Sequence, residues 1–330
     1  MFAAQQSDVA AIKALEVGNG AVSDDGRPRV GIVLSEALML LPGAHANTEN
    51  IIALVTAMGC RAVLIPTCAD YAVLGGPQAR ARAVASLASS LDGLVGPGGA
   101  DVDPSIYGEA NTASLNTNVT RDTFEAGFVK AALDCELFAF GICRSHQLWN
   151  AAAGGSLIQD LQQEGFASTS HVQAQHGIAN AAPMVVRDED GKIRFEDIMR
   201  VAPDSRLAAL LGCQEIAVNS MHHQAVDHAG QGFRVVGRVL QETSKQTIEA
   251  TERWNAFTVQ YHPELMVDDP AQQALFSTLG RRAHAFELLK NLRKHGPVTL
   301  PLLLQAMRVQ GGFEASDLDW AKQDLAKRLR

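Results

Sequence analysis

The sequence lacks the features that mark several common classes of protein. Basic residues are outnumbered, with 28 Lys and Arg against 36 Asp and Glu and a net charge of −8. No basic stripe is visible, so we expect neither nucleic-acid nor anionic-membrane binding. The longest apolar runs, such as 38–41 and 300–304, fall far short of the roughly 20 residues that span a bilayer.

Disulfide, targeting and metal signals are also missing. The five cysteines are odd in number, irregularly spaced and without a CxxC pair, which predicts reduced thiols. The first residues, MFAAQQSD, have no basic flank and no apolar signal core, so we expect a cytoplasmic protein. His222 and His223 are adjacent rather than one helical turn apart, and no second Cys or His cluster accompanies them. We therefore expect no metal and no cofactor.

The pattern along the chain predicts an α/β fold. A chain of 330 residues, 47% of them hydrophobic, can bury a large core in one domain, or in one domain with an appendage. Short apolar runs alternate with helical patterns, which predicts a parallel sheet covered on both faces. The predicted strands are 29–34, 62–66, 91–95 and 137–140, and the helices are 47–58, 78–90 and 121–133. Further strands at 215–219, 233–240, 246–251 and 256–261 predict an antiparallel extension.

The two ends of the chain have patterns of their own. Residues 1–27 predict a short helix with a loose arm. Residues 283–294 predict a helix that stops at Gly296-Pro297. A further helix is predicted after Ser316, whose spacing to Asp319 suits a capping box, with Leu318, Ala321, Leu325 and Leu329 on one face. We expect the C-terminal helices to pack against the main domain; a homodimer or partner contact is the alternative.

The segment GICRSHQ at 141–147 predicts a strand, a tight turn and a helix that present the thiol of Cys143. Gly141 lets the backbone bend, and the helix N-terminus favours a thiolate. The plain alternative is a buried structural cysteine. The segment TVQYHPE at 258–264 supplies what a nucleophile needs, because His262 can act as general base and Glu264 can orient it.

A glycine-rich segment, GPGGAD at 96–101, follows a predicted strand. A phosphate loop would require GxGxxG or GxxxxGK[ST] leading into a helix, and neither spacing is present. The alternatives left open are a plain tight turn and an oxyanion loop, in which glycines let backbone N–H groups approach a developing negative charge.

Together, GICRSHQ, PGGADVDPSIYGE at 97–109, VNSMHHQAV at 218–226, IEATE at 248–252 and VQYHPE resemble class I glutamine amidotransferases. The likeness is greatest to the gamma-glutamyl-gamma-aminobutyrate hydrolase branch, peptidase family C26, over about residues 28–280. The resemblance implies a flavodoxin-like fold, with an N-terminal arm at 1–27, a catalytic domain at 28–280 and a helical extension at 281–330.

The resemblance also implies roles for particular residues. Cys143, His262 and Glu264 would form the catalytic triad, and Gly98, Gly99 and Arg144 would supply the oxyanion donors. Substrate-binding residues would be Gln147, Asn219, Ser220, Met221, His222 and His223. Ser145 departs from the usual glycine of GxCxG, so a slightly altered turn is expected, and His146 matches some synthase-associated members.

The expected activity is hydrolysis of a γ-glutamyl amine through a glutamyl thioester, without a protein partner. The segment at 97–109 favours this activity over its alternative, a glutaminase that passes ammonia to a synthase partner. A second alternative is a catalytically silent protein that binds a glutamyl compound or a protein. It predicts a missing triad residue, and none is missing from the sequence.

Overall fold

The computed structural model describes residues 15–16, 26–34, 46–67, 76–166, 197–240 and 245–325. These residues form a twelve-stranded sheet flanked by helices. The strands are β1 Leu15–Glu16, β2 Arg29–Leu34, β3 Arg61–Pro66, β4 Gly93–Gly96, β5 Phe138–Ile142, β6 Ser156–Ile158, β7 Asp197–Val201, β8 Glu215–Val218, β9 Ala225–His228, β10 Arg234–Val239, β11 Ile248–Arg253 and β12 Ala256–Val259. The helices are α1 Ala46–Ala57, α2 Pro77–Ser89, α3 Val119–Asp134, α4 Arg144–Ala152, α5 Arg206–Leu211, α6 Pro270–Arg293, α7 Leu300–Gln310 and α8 Ala315–Gln323.

The sheet joins a parallel half to an antiparallel half. Its order is β1-β3-β2-β4-β5-β12-β11-β10-β7-β8, with a β6–β9 ribbon attached through β9 to β11. Strands β3, β2, β4, β5 and β12 are mutually parallel. Strand β5 is buried along its whole length, as a strand covered by helices on both faces must be. The predicted α/β class and the antiparallel extension are confirmed.

Strand β12 is the junction between the two halves. It pairs in parallel with β5 and antiparallel with β11. The register places Val259 opposite Ile142, and the N–H of Cys143 donates to the Val259 carbonyl at 2.8 Å. The segments after β5 and β12 therefore leave the sheet side by side, at the carboxyl ends of neighbouring parallel strands, where open α/β sheets place their ligands.

The C-terminal helices pack on the main core. The ring of Trp320 in α8 lies 5.9 Å from that of Phe286 in α6, and the Arg282 guanidinium lies 4.0 Å from the Trp320 centroid. Trp320 is 3% exposed and belongs to the same hydrophobic cluster as Phe138 of β5. The expectation that this region packs against the main domain is confirmed.

The predicted bounds of these helices need correction. Helix α6 begins at Pro270, after the N-cap Asp269, so the boundary placed between 280 and 281 lies within one continuous helix. The capping box on Ser316 and Asp319 is wrong. The box is formed by Glu314 and Asp317, because Asp317 is buried and bound by Arg281 at 2.7 Å, which sets the helix start earlier.

Little of the predicted N-terminal arm is described. Leu15–Glu16 form a short strand antiparallel to β3, where a helix with a loose arm was predicted, and residues 1–14 and 17–25 lie outside the described residues, as does Leu329. Within the described ranges, no helix has both the length and the apolar character needed to cross a bilayer, and no cluster of three potential metal ligands occurs.

Candidate active site

Cys143 sits at a strained turn between β5 and α4. It has φ 49° and ψ −105° and occupies the N-cap position of α4. A non-glycine residue held in such a conformation costs on the order of 1–3 kcal/mol and is typical of functional sites. The turn fits closely, since a Cβ at Gly141 would lie 2.9 Å from the Trp149 ring and 3.0 Å from Thr258. The predicted strand, turn and helix around the thiol are observed.

His262 and Glu264 follow β12 and reach the thiol. Nδ1 of His262 lies 2.7 Å from Oε1 of Glu264, and the imidazole lies close enough to Cys143 for the two side chains to interact. Burial opposes the charged imidazolium, but the charges of Glu264 and Cys143 outweigh it and raise the pKa of His262 well above its ordinary value. Pro263 begins a short 3₁₀ turn that holds His262 and Glu264 on one side.

Asn219 holds the backbone of His262. Its Nδ2 donates to the His262 carbonyl at 2.9 Å, and its Oδ1 accepts from the His262 N–H at 3.0 Å. Asn50 of α1 similarly donates to the Glu264 carbonyl at 3.0 Å. Asn219 was predicted to bind substrate; in the structure both ends of its amide bind the backbone of His262, the predicted base.

A chain of amides leads from the sheet to the sulfur. Nε2 of Gln260 lies 3.6 Å from Sγ of Cys143, and Nε2 of Gln147 lies 3.2 Å from Oε1 of Gln260. The same Gln147 nitrogen donates to the Gln224 carbonyl at 3.0 Å. Gln147, expected to contact a glutamyl group, thus also orients the donor that points at the sulfur.

The glycine loop lies against Cys143 and His262. A Cβ at Gly98 would stand 2.8 Å from Cε1 of His262 and 3.5 Å from Cβ of Cys143, whereas one at Gly99 would meet Arg121 and Arg144 at 3.1 Å. Gly98 therefore borders the predicted nucleophile and base. Gly99 faces the guanidinium of Arg121 and the aliphatic Cδ of Arg144.

Arg144 anchors the start of α4. Its guanidinium donates to the carboxylates of Asp122 and Glu125 on α3, and Arg121 pairs with Glu125 at 2.6 Å. Burial opposes ionisation of Glu125, but the two arginines outweigh it and lower the pKa of Glu125. As the first residue of the helix, Arg144 has a backbone N–H without an intrahelical acceptor, as the predicted oxyanion role requires.

The two departures from the expected motif have distinct surroundings. Oγ of Ser145 donates to the Pro97 carbonyl at 2.8 Å, and Gly96 leaves the space for this side chain, since a Cβ there would lie 2.4 Å from Oγ. Nδ1 of His146 lies 2.7 Å from Oγ1 of Thr258. Burial lowers the pKa of His146 to about 3, so this ring is a neutral core group.

The two adjacent histidines point to different partners. Nδ1 of His222 donates to the Gln224 carbonyl at 2.7 Å, and its Nε2 faces Glu249 at 3.4 Å. Nε2 of His223 donates to Asp101 at 2.7 Å. Among the described residues, no hydrogen-bond partner reaches Oγ of Ser220 or Nδ1 of His223, although both atoms are buried. Met221, which lies between Ser220 and His222 in the sequence, is partly exposed.

Several residues that support the candidate site were not identified from the sequence. Gln260 lies within the VQYHPE motif, so its position beside His262 was a usable signal. Asn50, Asp122 and Glu125 precede the motif residues by long stretches of chain, and no local pattern marks them. Asp101 lies in the glycine-rich motif, but its bond to His223 depends on the fold.

Comparison with known proteins indicates the same family as the sequence motifs. A family model for Peptidase C26 matches residues 31–264, well over half of the chain. The glutamine amidotransferase-like protein YvdE of Lactococcus lactis is 33% identical over 175 residues, which are 53% of this chain and 66% of that protein. The gamma-glutamyl-gamma-aminobutyrate hydrolase PuuD of Escherichia coli is 30% identical over 192 residues, 54% of this chain and 66% of that protein.

The chain thus spans just under two thirds of the length of these two relatives. Among solved structures, the glutaminase domain of Trypanosoma brucei CTPS with bound acivicin has a TM-score of 0.49 at 14% identity, covering 78% of this chain and 93% of that one. The family match identifies a class I glutamine amidotransferase-like protein. Within that class, the chain belongs to the Peptidase C26 family, and the resemblance found in the motifs is confirmed.

Proposed function

We propose that this protein hydrolyses the γ-glutamyl amide bond of a γ-glutamyl amine, with Cys143 as nucleophile, and releases glutamate and the amine. The observation that carries the proposal is the position of Cys143, on its strained turn, beside the imidazole of His262, whose Nδ1 lies 2.7 Å from Oε1 of Glu264. The name of the E. coli relative supports the substrate class.

The arrangement suits acyl transfer. His262 takes the thiol proton, and the raised pKa of His262 keeps that proton available for the leaving amine. The sulfur attacks the γ-carbonyl carbon, and the resulting oxyanion is stabilised by backbone N–H groups of Gly98 and Arg144, with Gly99 beside them. The C–N bond then breaks, the amine leaves with the proton from His262, and a glutamyl thioester remains.

Hydrolysis of the thioester uses the same groups in reverse. A water molecule gives a proton to His262 and attacks the thioester carbon, and the C–S bond breaks to release glutamate. The sulfur recovers its proton from His262. Oγ of Ser220 and Nδ1 of His223 are buried polar atoms whose hydrogen-bonding capacity suits the polar groups of a glutamyl substrate.

The test is glutamate release from L-glutamine and from a panel of γ-glutamyl amines, without any added protein. Cys143→Ala should abolish release. Cys60→Ala is the matched control, because Cys60 is buried elsewhere, and burial raises the pKa of its thiol to about 12, which leaves it unreactive. The control should keep full activity.

The substrate pattern separates the alternatives. Release from γ-glutamyl amines, lost in the Cys143 variant, supports the proposed hydrolase. Release from glutamine alone indicates a glutaminase that serves a synthase partner, which the amidotransferase names of several relatives favour. If no substrate reacts, the hydrolase proposal is rejected in favour of a binding role.

A further inference from the structure

We propose that Ser145 is a positioning residue that holds the peptide between Pro97 and Gly98 in the orientation that stabilises the oxyanion. This inference rests on the proposed function and adds a role for a side chain that replaces the glycine expected at this position. The observation behind it is the hydrogen bond from Oγ of Ser145 to the Pro97 carbonyl, at 2.8 Å between two buried residues.

The geometry of the peptide group links this bond to the reaction. The described residues contain no cis peptide bond, and in a trans peptide the C=O and N–H groups point in opposite directions. Holding the Pro97 carbonyl towards Ser145 therefore directs the Gly98 N–H away from Ser145. Gly98 itself borders Cys143 and His262. An N–H that points away from Ser145 at this position is therefore available to the region where the proposed oxyanion forms.

The loop needs such an anchor because its middle is glycine. Gly98 and Gly99 lack the side chain that restricts backbone rotation, so the intervening peptides can turn at little cost. The far end of the loop is already fixed, since Asp101 accepts from His223 at 2.7 Å and from the Leu115 N–H at 2.7 Å. The hydrogen bond from Ser145 to the Pro97 carbonyl fixes the beginning of the loop.

The packing around Ser145 is specific to its side chain. A Cβ at Gly96 would lie 2.4 Å from Oγ and 2.6 Å from Cβ of Ser145, and 2.7 Å from the Trp149 ring. The absent side chain at Gly96 thus makes room for the hydroxyl beside the loop. Replacing Ser145 by alanine removes the hydrogen bond and preserves the packing of Cβ.

The first measurement does not depend on activity. Labelling proline carbonyl carbons with ¹³C and glycine nitrogens with ¹⁵N selects the two Pro-Gly peptides of the chain, Pro42-Gly43 and Pro97-Gly98. The order parameter of the Gly98 amide is about 0.85 if the peptide is rigid, and falls below about 0.6 if it is flexible. We expect the wild-type value to be rigid and the Ser145→Ala value to be flexible.

The second measurement is steady-state hydrolysis of a γ-glutamyl p-nitroanilide. Removing an oxyanion donor outright lowers kcat about 100- to 1000-fold, so a donor that is present but loosely held should cost about tenfold in kcat. KM should stay unchanged, because the oxyanion does not exist in bound substrate. Ser90→Ala is the matched control, because it removes a similar 2.7 Å bond from a serine to a backbone carbonyl at the end of α2.

The outcomes are distinct. A flexible Gly98 amide together with the selective loss of kcat supports the inference. A Gly98 amide that stays rigid in Ser145→Ala overturns it, as does a kcat equal to wild type. If the wild type hydrolyses no substrate, the proposed function fails, and the Gly98 order parameter alone then decides whether Ser145 positions the loop. Should Ser145→Ala fold poorly, Ser145→Gly, which restores the expected family residue, replaces it.

Discussion

Replacing Asn219 by alanine should impair catalysis through the backbone of His262. The side chain makes two hydrogen bonds to that backbone, at 2.9 and 3.0 Å. Each buried backbone group left without a partner costs about 1–3 kcal/mol, so losing both partners should lower the free energy of unfolding by about 2–6 kcal/mol. A shift of about 1 Å in a catalytic group can cost roughly 100-fold in rate, and we expect kcat to fall about 10- to 100-fold.

The assay is steady-state hydrolysis of the best γ-glutamyl substrate together with urea unfolding. Asn255→Ala is the matched control, because Asn255 donates to the Leu137 carbonyl at 2.9 Å near the opposite end of β12, away from Cys143. It should lose similar stability and retain kcat. A rise in KM with an unchanged kcat in Asn219→Ala would show that Asn219 contacts the substrate, as its sequence motif indicated, and would refute the reasoning.

Three further predictions follow from buried groups. Burial raises the pKa of Glu249 well above its ordinary value of 4.5, so the folded protein keeps a proton that the unfolded chain releases. Stability from this group is therefore lost as the pH rises above about 4.5 towards the raised pKa, and Glu249→Gln should reduce that loss in urea unfolding. Gly96→Ala should cost about 1–3 kcal/mol in thermal or urea unfolding through overpacking against Ser145, and adding Ser145→Gly should recover part of it. Trp320→Ala should cost about 3–5 kcal/mol of unfolding free energy, because the ring is buried under the Arg282 guanidinium.

Each of these three predictions would be contradicted by a particular result. An identical pH dependence in Glu249→Gln would mean that the carboxyl is ionised in the folded protein. The raised pKa of His262 contributes to the same decline, because stability from a raised histidine pKa is lost as the pH rises through that value, so the decline should be reduced but not abolished. Additive effects at Gly96 and Ser145 would contradict their direct packing. A stable Trp320→Ala variant would contradict the docking of α8.

The sequence indicated the proposed catalytic side chains, but not the residues that hold them in place. Cys143 and His262, the proposed nucleophile and base, lie in short motifs with a recognisable local pattern, so they could be found without a structure. The role of Asn219 depends on how the end of β8 approaches the end of β12, which no local pattern encodes. The start of α8 was misplaced because Glu314–Asp317 and Ser316–Asp319 have equal spacing, and the contact of Asp317 with Arg281 selects between them.

The position of β12 between β5 and β11 also bears on how the chain folds during synthesis. Cys143 meets Gln260 across 117 positions of sequence, so β5 has no neighbour on one side until most of the protein has left the ribosome. Closing so long a loop is entropically costly and makes such pairing slow. A nascent chain that ends before residue 256 would expose an apolar strand edge, which is prone to aggregation, and would have no base beside its thiol. The late arrival of one short strand would therefore complete the sheet and bring His262 beside Cys143 in the same event.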